Sequence, residues 1–201
     1  MEIMLQKEYY LENSRVLLKP LSIEDVNHLV DIAINEPELW NYTLSRLNTK
    51  EKLTEYIAKA IADRENGISY AFSVYDKQSQ AYAGCTRLYD INFIHKTCDI
   101  GFTWYGKDFQ GTGLNKNCKY LLFEFTFEKL VMERIQFRAD KDNIRSINAI
   151  KSLGCTEEGI LRSNMYKPDG TRRDSMILSI LKNEWNSCEK EKLRNKIGMG
   201  N

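Results

Sequence analysis

Apolar residues recur at helical spacing in four stretches of the chain and at every second position in much of the rest, a pattern that predicts helices and strands in one mixed domain. RVLLKPL (15–21) predicts the first strand. Ser22 then stands where an N-cap is wanted, with Val26, Leu29, Val30 and Ala33 along one helical face. A second helix over 49–66 carries Leu53, Ile57, Ala60 and Ile61, and Asn66 and Gly67 stop it. Three strand-like runs follow, SYAFSVYD, AYAGCTRLYDI and TCDIGFTWY. The polar turns at 76–80 and 92–96 between them predict an antiparallel meander.

The period then lengthens again. Leu114, Cys118, Leu121, Leu122 and Phe125 share one face of a helix predicted over 112–131. RIQFRAD (134–140) alternates, with Ile135, Phe137 and Ala139 on one side. NIRSINAIKSLG is a short helix with Gly154 at its stop, and EEGILRSNMYKPDGTRRDSMILSIL is a hairpin turning at Pro168, Asp169 and Gly170. A charged tail, 182–201, follows. The order β-α-α-β-β-β-α-β-α-β-β predicts a single α/β domain over 1–201 with its core at 15–181 and helices on the faces of a mixed sheet.

Composition removes several classes of function. In 201 residues, 29 basic and 28 acidic side chains leave a net charge of +1, which gives no electrostatic footprint for nucleic acid or an anionic membrane. No apolar run reaches bilayer length, and MEIMLQKEYYLENSR at the start has neither a basic leader nor a long apolar stretch, so a cytoplasmic protein is expected. Cys85, Cys98, Cys118, Cys155 and Cys188 form no C-x-x-C pair. With only His28 and His95 beside them, the expectation is reduced thiols and no metal site.

The segment that carries chemistry is FQGTGLNKNCKYLL (109–122), two glycines one residue apart at the start of the best-defined helix. A helix N-terminus exposes unpaired N–H groups and a partial positive charge, a seat for phosphate. The spacing is not that of a Walker A loop, and the third glycine of a dinucleotide-binding turn would fall at Lys116. What fits is a strand, a loop and a helix start, with the amides of Gly111, Thr112, Gly113, Leu114 and Asn115 turned toward a pyrophosphate. A tight turn and nothing more is the structural alternative.

Q-G-T-G-L-N (110–115) resembles the Q/R-x-x-G-x-G/A signature of the Gcn5-related N-acetyltransferases (GNAT), with Asn115 in place of the final Gly or Ala. RVLLKPLSIEDVNHLVD and DNIRSINAIKSLGCTEEGILRSNMYKPDGTRRDSMILSIL are similar to the opening and close of the RimJ/RimL-like, ribosomal-protein N-terminal acetyltransferase branch. The resemblance covers 15 to about 181. It implies the GNAT fold, a mostly antiparallel sheet of about seven strands splayed between strands 4 and 5. It also implies acetyl-coenzyme A as co-substrate and transfer of its acetyl group to a primary amine by direct attack on the thioester. The acceptor stays open among a protein N-terminus, a polyamine, an aminoglycoside and another small amine, and a homodimer is compatible.

By the same resemblance Gln110 belongs to the pyrophosphate loop, and the backbone of Thr103, Trp104 and Tyr105 pairs with the pantetheine arm and supplies the oxyanion donor. Asp99 occupies the place of a glutamate base, against the alternative of a strand-end ion pair. Asn143 and Ser146 match positions that contact the pantetheine and the sulfur, although an Asn there is also a routine cap. Ile150 stands where relatives carry a tyrosine acid, which leaves Ser146 as the nearest acid. Cys118 reads as core. Two other classes of function compete: a non-catalytic coenzyme A binding or sensing module on the same fold, and a nucleotide-binding regulator.

Overall fold

The computed structural model describes residues 3–199, with side chains from Leu5 onward. Its eight strands form one sheet in the order β1-β2-β3-β4-β5-β6-β8-β7. They are β1 Leu11–Glu12, β2 Val16–Pro20, β3 Tyr70–Asp76, β4 Ala81–Asn92, β5 Thr97–Tyr105, β6 Arg134–Asp140, β7 Thr156–Tyr166 and β8 Arg172–Leu181. The predicted meander is β3-β4-β5, antiparallel throughout, and the predicted hairpin is β7-β8. β5 and β6 are the one parallel pair. The count exceeds the expected seven because the two residues of β1, too few to show a period, pair with β2.

Helices cover both faces. After α1 (Ile3–Gln6), α2 (Asp25–Asn35) and α3 (Lys50–Glu65) pack on one side of β3 and β4. α4 (Leu114–Glu124) and α5 (Ile144–Lys151) lie on the other. Two cores result. Leu21, Leu29, Trp40, Leu53, Ile57 and Trp104 fill the α2/α3 side, and Leu88, Cys98, Ile100, Leu114, Cys118 and Leu122 belong to the larger core under α4 and α5. Burial of this apolar area is the main stabilising term.

Three boundaries differ from the sequence pattern. Ser22 does not cap α2; the buried Asp25 carboxylate accepts the Ser22 amide at 2.9 Å and pairs with Lys19 at 2.9 Å, which delays the helix to Asp25. The long helix starts at Leu114 and passes at Phe125–Lys129 into a π turn. The charged tail is not a tail. Residues Lys182–Glu184 (α6) and Lys190–Lys196 (α7) are helical, joined by a π turn over Trp185–Glu189. Trp185 is fully buried against Tyr120, Phe123 and Phe127. Trp185 and Leu193 are this segment's buried anchors, too sparse to announce an amphipathic helix among so many charges. Among the described residues no helix is long and apolar enough to cross a membrane, and no cluster of His, Cys, Asp or Glu could hold a metal ion.

Candidate active site

Strand pairing creates the site. β5 pairs with β6 only through Thr97–Asp99 opposite Arg134–Gln136, whereas β6 stays paired with β8 along its whole length. From Ile100 to Tyr105 the sheet is therefore split, between the fourth and fifth strands counted from Val16, as expected. The split coincides with a bulge. Cys85 faces Trp104 but Arg87 faces Gly101, so Thr86 stands opposite both Phe102 and Thr103, and Phe102 takes a positive φ of 48°. An unbranched but bulky residue in that region is uncommon, and such strain gathers at functional sites.

The side chains of Trp104 and Tyr105 belong to the core: Trp104 packs edge-on against Trp40 at 5.4 Å and Tyr105 is buried. On the side of the split, this end of β5 has no β6 partner. Gly84 brings β4 up to this end of β5; a Cβ there would meet the Trp104 carbonyl oxygen at 1.9 Å.

The glycine turn lies just beyond. Gly111 and Gly113 have φ of +75° and +86°, and Gly113 is the N-cap of α4 in the left-handed region with no side-chain cap. Among the described residues the amides of Gly111, Thr112, Gly113 and Asn115 find no protein acceptor, and only Leu114 leans on the Thr112 hydroxyl at 3.4 Å. A row of free amides at a helix start fits an anion. Asn115, the departure from the signature, turns its Oδ1 to the Tyr105 hydroxyl at 3.3 Å and leaves the turn open. Gln110 donates to the Tyr105 carbonyl at 2.8 Å and accepts from Arg145 of α5, so it ties the loop to both walls of the split.

α5 forms the far wall. Asn143 caps it, its Oδ1 accepting the Ser146 amide at 3.0 Å, which is the bland role foreseen for it. Ser146 is half-buried one turn in. Ile150 is 8 % exposed in the core beside Ile147, so a tyrosine's place is occupied by packing.

Asp99 points to the opposite face. Leu88 and Ile100 enter the α4/α5 core, so by strand alternation Tyr89 and Asp99, paired across β4 and β5, face the α2/α3 side. The Asp99 carboxylate accepts from Gln136 at 3.1 Å and pairs with Arg138 at 2.9 Å, and Arg138 also holds Asp90 at 2.9 Å. Burial pushes its pKa above the ordinary carboxylate value despite Arg138. Nearby, a cleft of about 230 Å³ is lined by Tyr56, Asp63, Arg87, Tyr89, Asp90 and Phe102, among others. Arg87 lies between the rings of Tyr56 (4.9 Å) and Phe102 (4.6 Å).

A split sheet with free amides at one mouth and a buried carboxylate behind it has counterparts. The family model described as "Acetyltransferase (GNAT) domain" matches residues 15–156. The chain belongs to the GNAT acetyltransferases. It is 27% identical over 180 residues to a Bacillus subtilis (strain 168) protein named "Putative ribosomal N-acetyltransferase YdaF", covering 86% of this chain and 94% of that one. It is 22% identical over 170 residues to the spermidine N(1)-acetyltransferase of Escherichia coli (strain K12), covering 85% and 88%. The solved structure of the microcin C7 self-immunity acetyltransferase MccE in complex with acetyl-CoA and AMP superposes with a TM-score of 0.77 at 22% identity, over 84% of this chain and 93% of that one. As a GNAT enzyme the chain is an acetyl-CoA-dependent acyltransferase that acetylates an amine.

Two residues beside the glycine turn and the split escape a reading of sequence. Arg15, there only the first residue of a strand, pairs with Asp76 at 2.7 Å and reaches the Thr112 carbonyl at 3.4 Å, bracing the glycine turn. Lys119 is 3 % exposed inside α4, where a lysine in a helical pattern reads as a solvent-facing residue.

Proposed function

We propose that this acetyltransferase acts on an α-amine at a protein N-terminus, the acceptor approaching from the α2/α3 face and acetyl-coenzyme A from the α4/α5 face. In this reading the amides of Gly111, Thr112, Gly113, Leu114 and Asn115 hold the pyrophosphate, with Gln110 bracing the loop. The backbone of Thr103, Trp104 and Tyr105 pairs with the pantetheine arm and offers an amide to the thioester oxygen as charge develops there. Asn143 and Ser146 line the far wall beside the sulfur. Asp99 receives the proton of the attacking amine through a water, the relay suited to a carboxylate held back in the sheet.

The observation that carries the choice of acceptor is that the carboxylates of the cleft are already matched by resident cations. Asp63 faces Lys59 at 3.1 Å and Arg87 at 3.7 Å, and Asp90 faces Arg138. A polycation such as a polyamine needs unmatched acidic groups. A cleft of about 230 Å³ is also below the usual range for a drug-sized ligand, roughly 300–1,000 Å³, which disfavours an aminoglycoside. An α-amine titrates near ~8, so a weak base suffices to deliver it neutral. The likeness to the protein named "Putative ribosomal N-acetyltransferase YdaF" supports this reading.

The test is thiol release from acetyl-coenzyme A with a panel of short peptides bearing free N-termini, their N-blocked lysine counterparts, spermidine and an aminoglycoside. Peptides with free α-amines are expected to give the highest kcat/KM. A higher value for spermidine would overturn the acceptor assignment, and no thiol release from any amine would favour a coenzyme A sensing module.

A further inference from the structure

The buried ammonium of Lys119 has no part in the scheme above. It projects from α4 beneath the bulge of β5 and donates to the hydroxyls of Thr86 (2.9 Å) and Thr103 (2.8 Å), which are themselves 2.8 Å apart. Its titratable neighbours are Cys118 on its own helix and Cys155 after α5, both kept protonated by burial; β4 and β5 offer it the two threonines, and β5 adds Tyr105 and Cys98 to the same core, which burial also keeps protonated. None of the ion pairs among the described residues includes it.

A cation stripped of water and given no anion is costly, and an apolar residue of the same length would ordinarily serve a core better. The arrangement is explained if an anion comes and goes. Thr86 is buried, but Thr103 is only partly buried and lies on the stretch of β5 that has no β6 partner; its hydroxyl meets Lys119 and Thr86 and reaches the Gly101 carbonyl at 3.3 Å, a longer contact that a departing thiolate beside β5 can replace.

We propose that Lys119 is a positioning residue for the leaving group, acting through the Thr103 hydroxyl to stabilise and protonate the departing coenzyme A thiolate. As the amine nitrogen bonds to the carbonyl carbon, the carbon–sulfur bond breaks and its electron pair passes to sulfur. Sulfur takes the Thr103 hydroxyl proton, Thr103 regains one from Lys119, and the proton lost by the amine through Asp99 and solvent restores the ammonium. Protons balance over the turnover, and no further reactant is needed. The Lys119 pKa, drawn down to about 8 by burial, is close to that of a free thiol, so the transfer is nearly even in energy. The device stands where Ile150 leaves α5 without an acid.

The proposal rests on the coenzyme path described above, which calorimetry of coenzyme A with the parent protein tests separately. The experiment is Lys119→Met, with Thr103→Val as the second variant should the first not fold. Three readouts are taken: kcat, coenzyme A affinity, and the thiolate fraction of bound coenzyme A from ultraviolet difference titration. Lys119→Met is expected to lower kcat by about 10- to 1,000-fold, to leave affinity within about threefold, and to reduce the bound thiolate about tenfold at a given pH. Thr103→Val should lower kcat and the thiolate fraction in the same direction. Unchanged thiolate titration, or a kcat within about twofold of the parent, would overturn the proposal and leave Lys119 a structural residue. If coenzyme A fails to bind the parent, the path itself is wrong, a result distinct from either.

Discussion

Asp99 shows how a single carboxylate can be both anchored and available. Arg138 and Gln136 fix its orientation while burial weakens its acidity, and a base needs both. Asp99→Asn keeps the shape and removes the proton acceptor, so kcat is expected to fall roughly 10²- to 10⁴-fold with coenzyme A affinity unchanged. If Asp99 is the base, the parent's activity is expected to fall as pH drops through its pKa, which burial holds above the usual 3.8, because the protonated form cannot accept. With an α-amine acceptor the defect of the variant shrinks above pH ~8, where the amine is neutral without help. A defect that does not change with pH would make Asp99 a positioning group for the acceptor.

Lys119 makes a second residue-scale prediction, this one about stability. Its folded value of about 8 against an ordinary 10.5 means that folding carries a penalty of about 3 kcal/mol while the ammonium is charged in both states. The penalty is full below pH 8 and fades as pH rises to 10.5, where the unfolded chain also loses the proton. Lys119→Met is therefore expected to be more stable than the parent at neutral pH, with the gap closing toward pH 10.5, as denaturant melts at two pH values would show. A gap independent of pH would contradict the buried-charge account. The glycine turn was legible from its spacing, and Asp99, Asn143 and Ser146 were proposed from the family resemblance, with an ion pair and a helix cap as the alternatives. Lys119 was illegible because helix periodicity assumes one buried face, whereas α4 is enclosed by the sheet and by α7.

At the scale of elements, α4 and the C-terminal helices depend on one another. Trp185 lies 5.6 Å from both Tyr120 and Phe123, ring centre to ring centre, on the outer side of the helix whose N-terminus forms the glycine turn. Trp185→Ala should cost about 3–5 kcal/mol of stability, read as a lower Tm and denaturant midpoint. A loss under about 1 kcal/mol would return 182–196 to the role of a detachable tail. The helices, the meander and the final hairpin were legible because each carries its own period. The two-residue β1 and the C-terminal helices were not, since the first is set by pairing with β2 and the second by scattered anchors meeting α4. Gly113→Val probes the turn itself. The added side chain meets no atom within 4 Å at its Cβ, so steric conflict inside the fold is absent and the positive φ alone strains the backbone. Coenzyme A affinity is expected to fall by at least about tenfold, because the side chain stands where phosphate oxygens approach the amides. Parent-like binding would reduce the glycines to a turn.

Across the whole molecule, function follows from a sheet that is paired at one end and split at the other. The α2/α3 face presents a charge-matched cleft and Asp99; the α4/α5 face presents free amides, Thr103 and Lys119, and the split joins them. The meander was readable from alternation, but the depth of the split was not, since it depends on where β6 exchanges β5 for β8 as its partner. Amide hydrogen exchange with and without coenzyme A, read by mass spectrometry, decides whether the split and the glycine turn form one binding path for the coenzyme. Slowed exchange is expected in three separate segments at once, 103–105, 110–115 and 143–146, with the β7–β8 hairpin unchanged. Protection that leaves 110–115 untouched, or that leaves 103–105 and 143–146 as in the free protein, would contradict it.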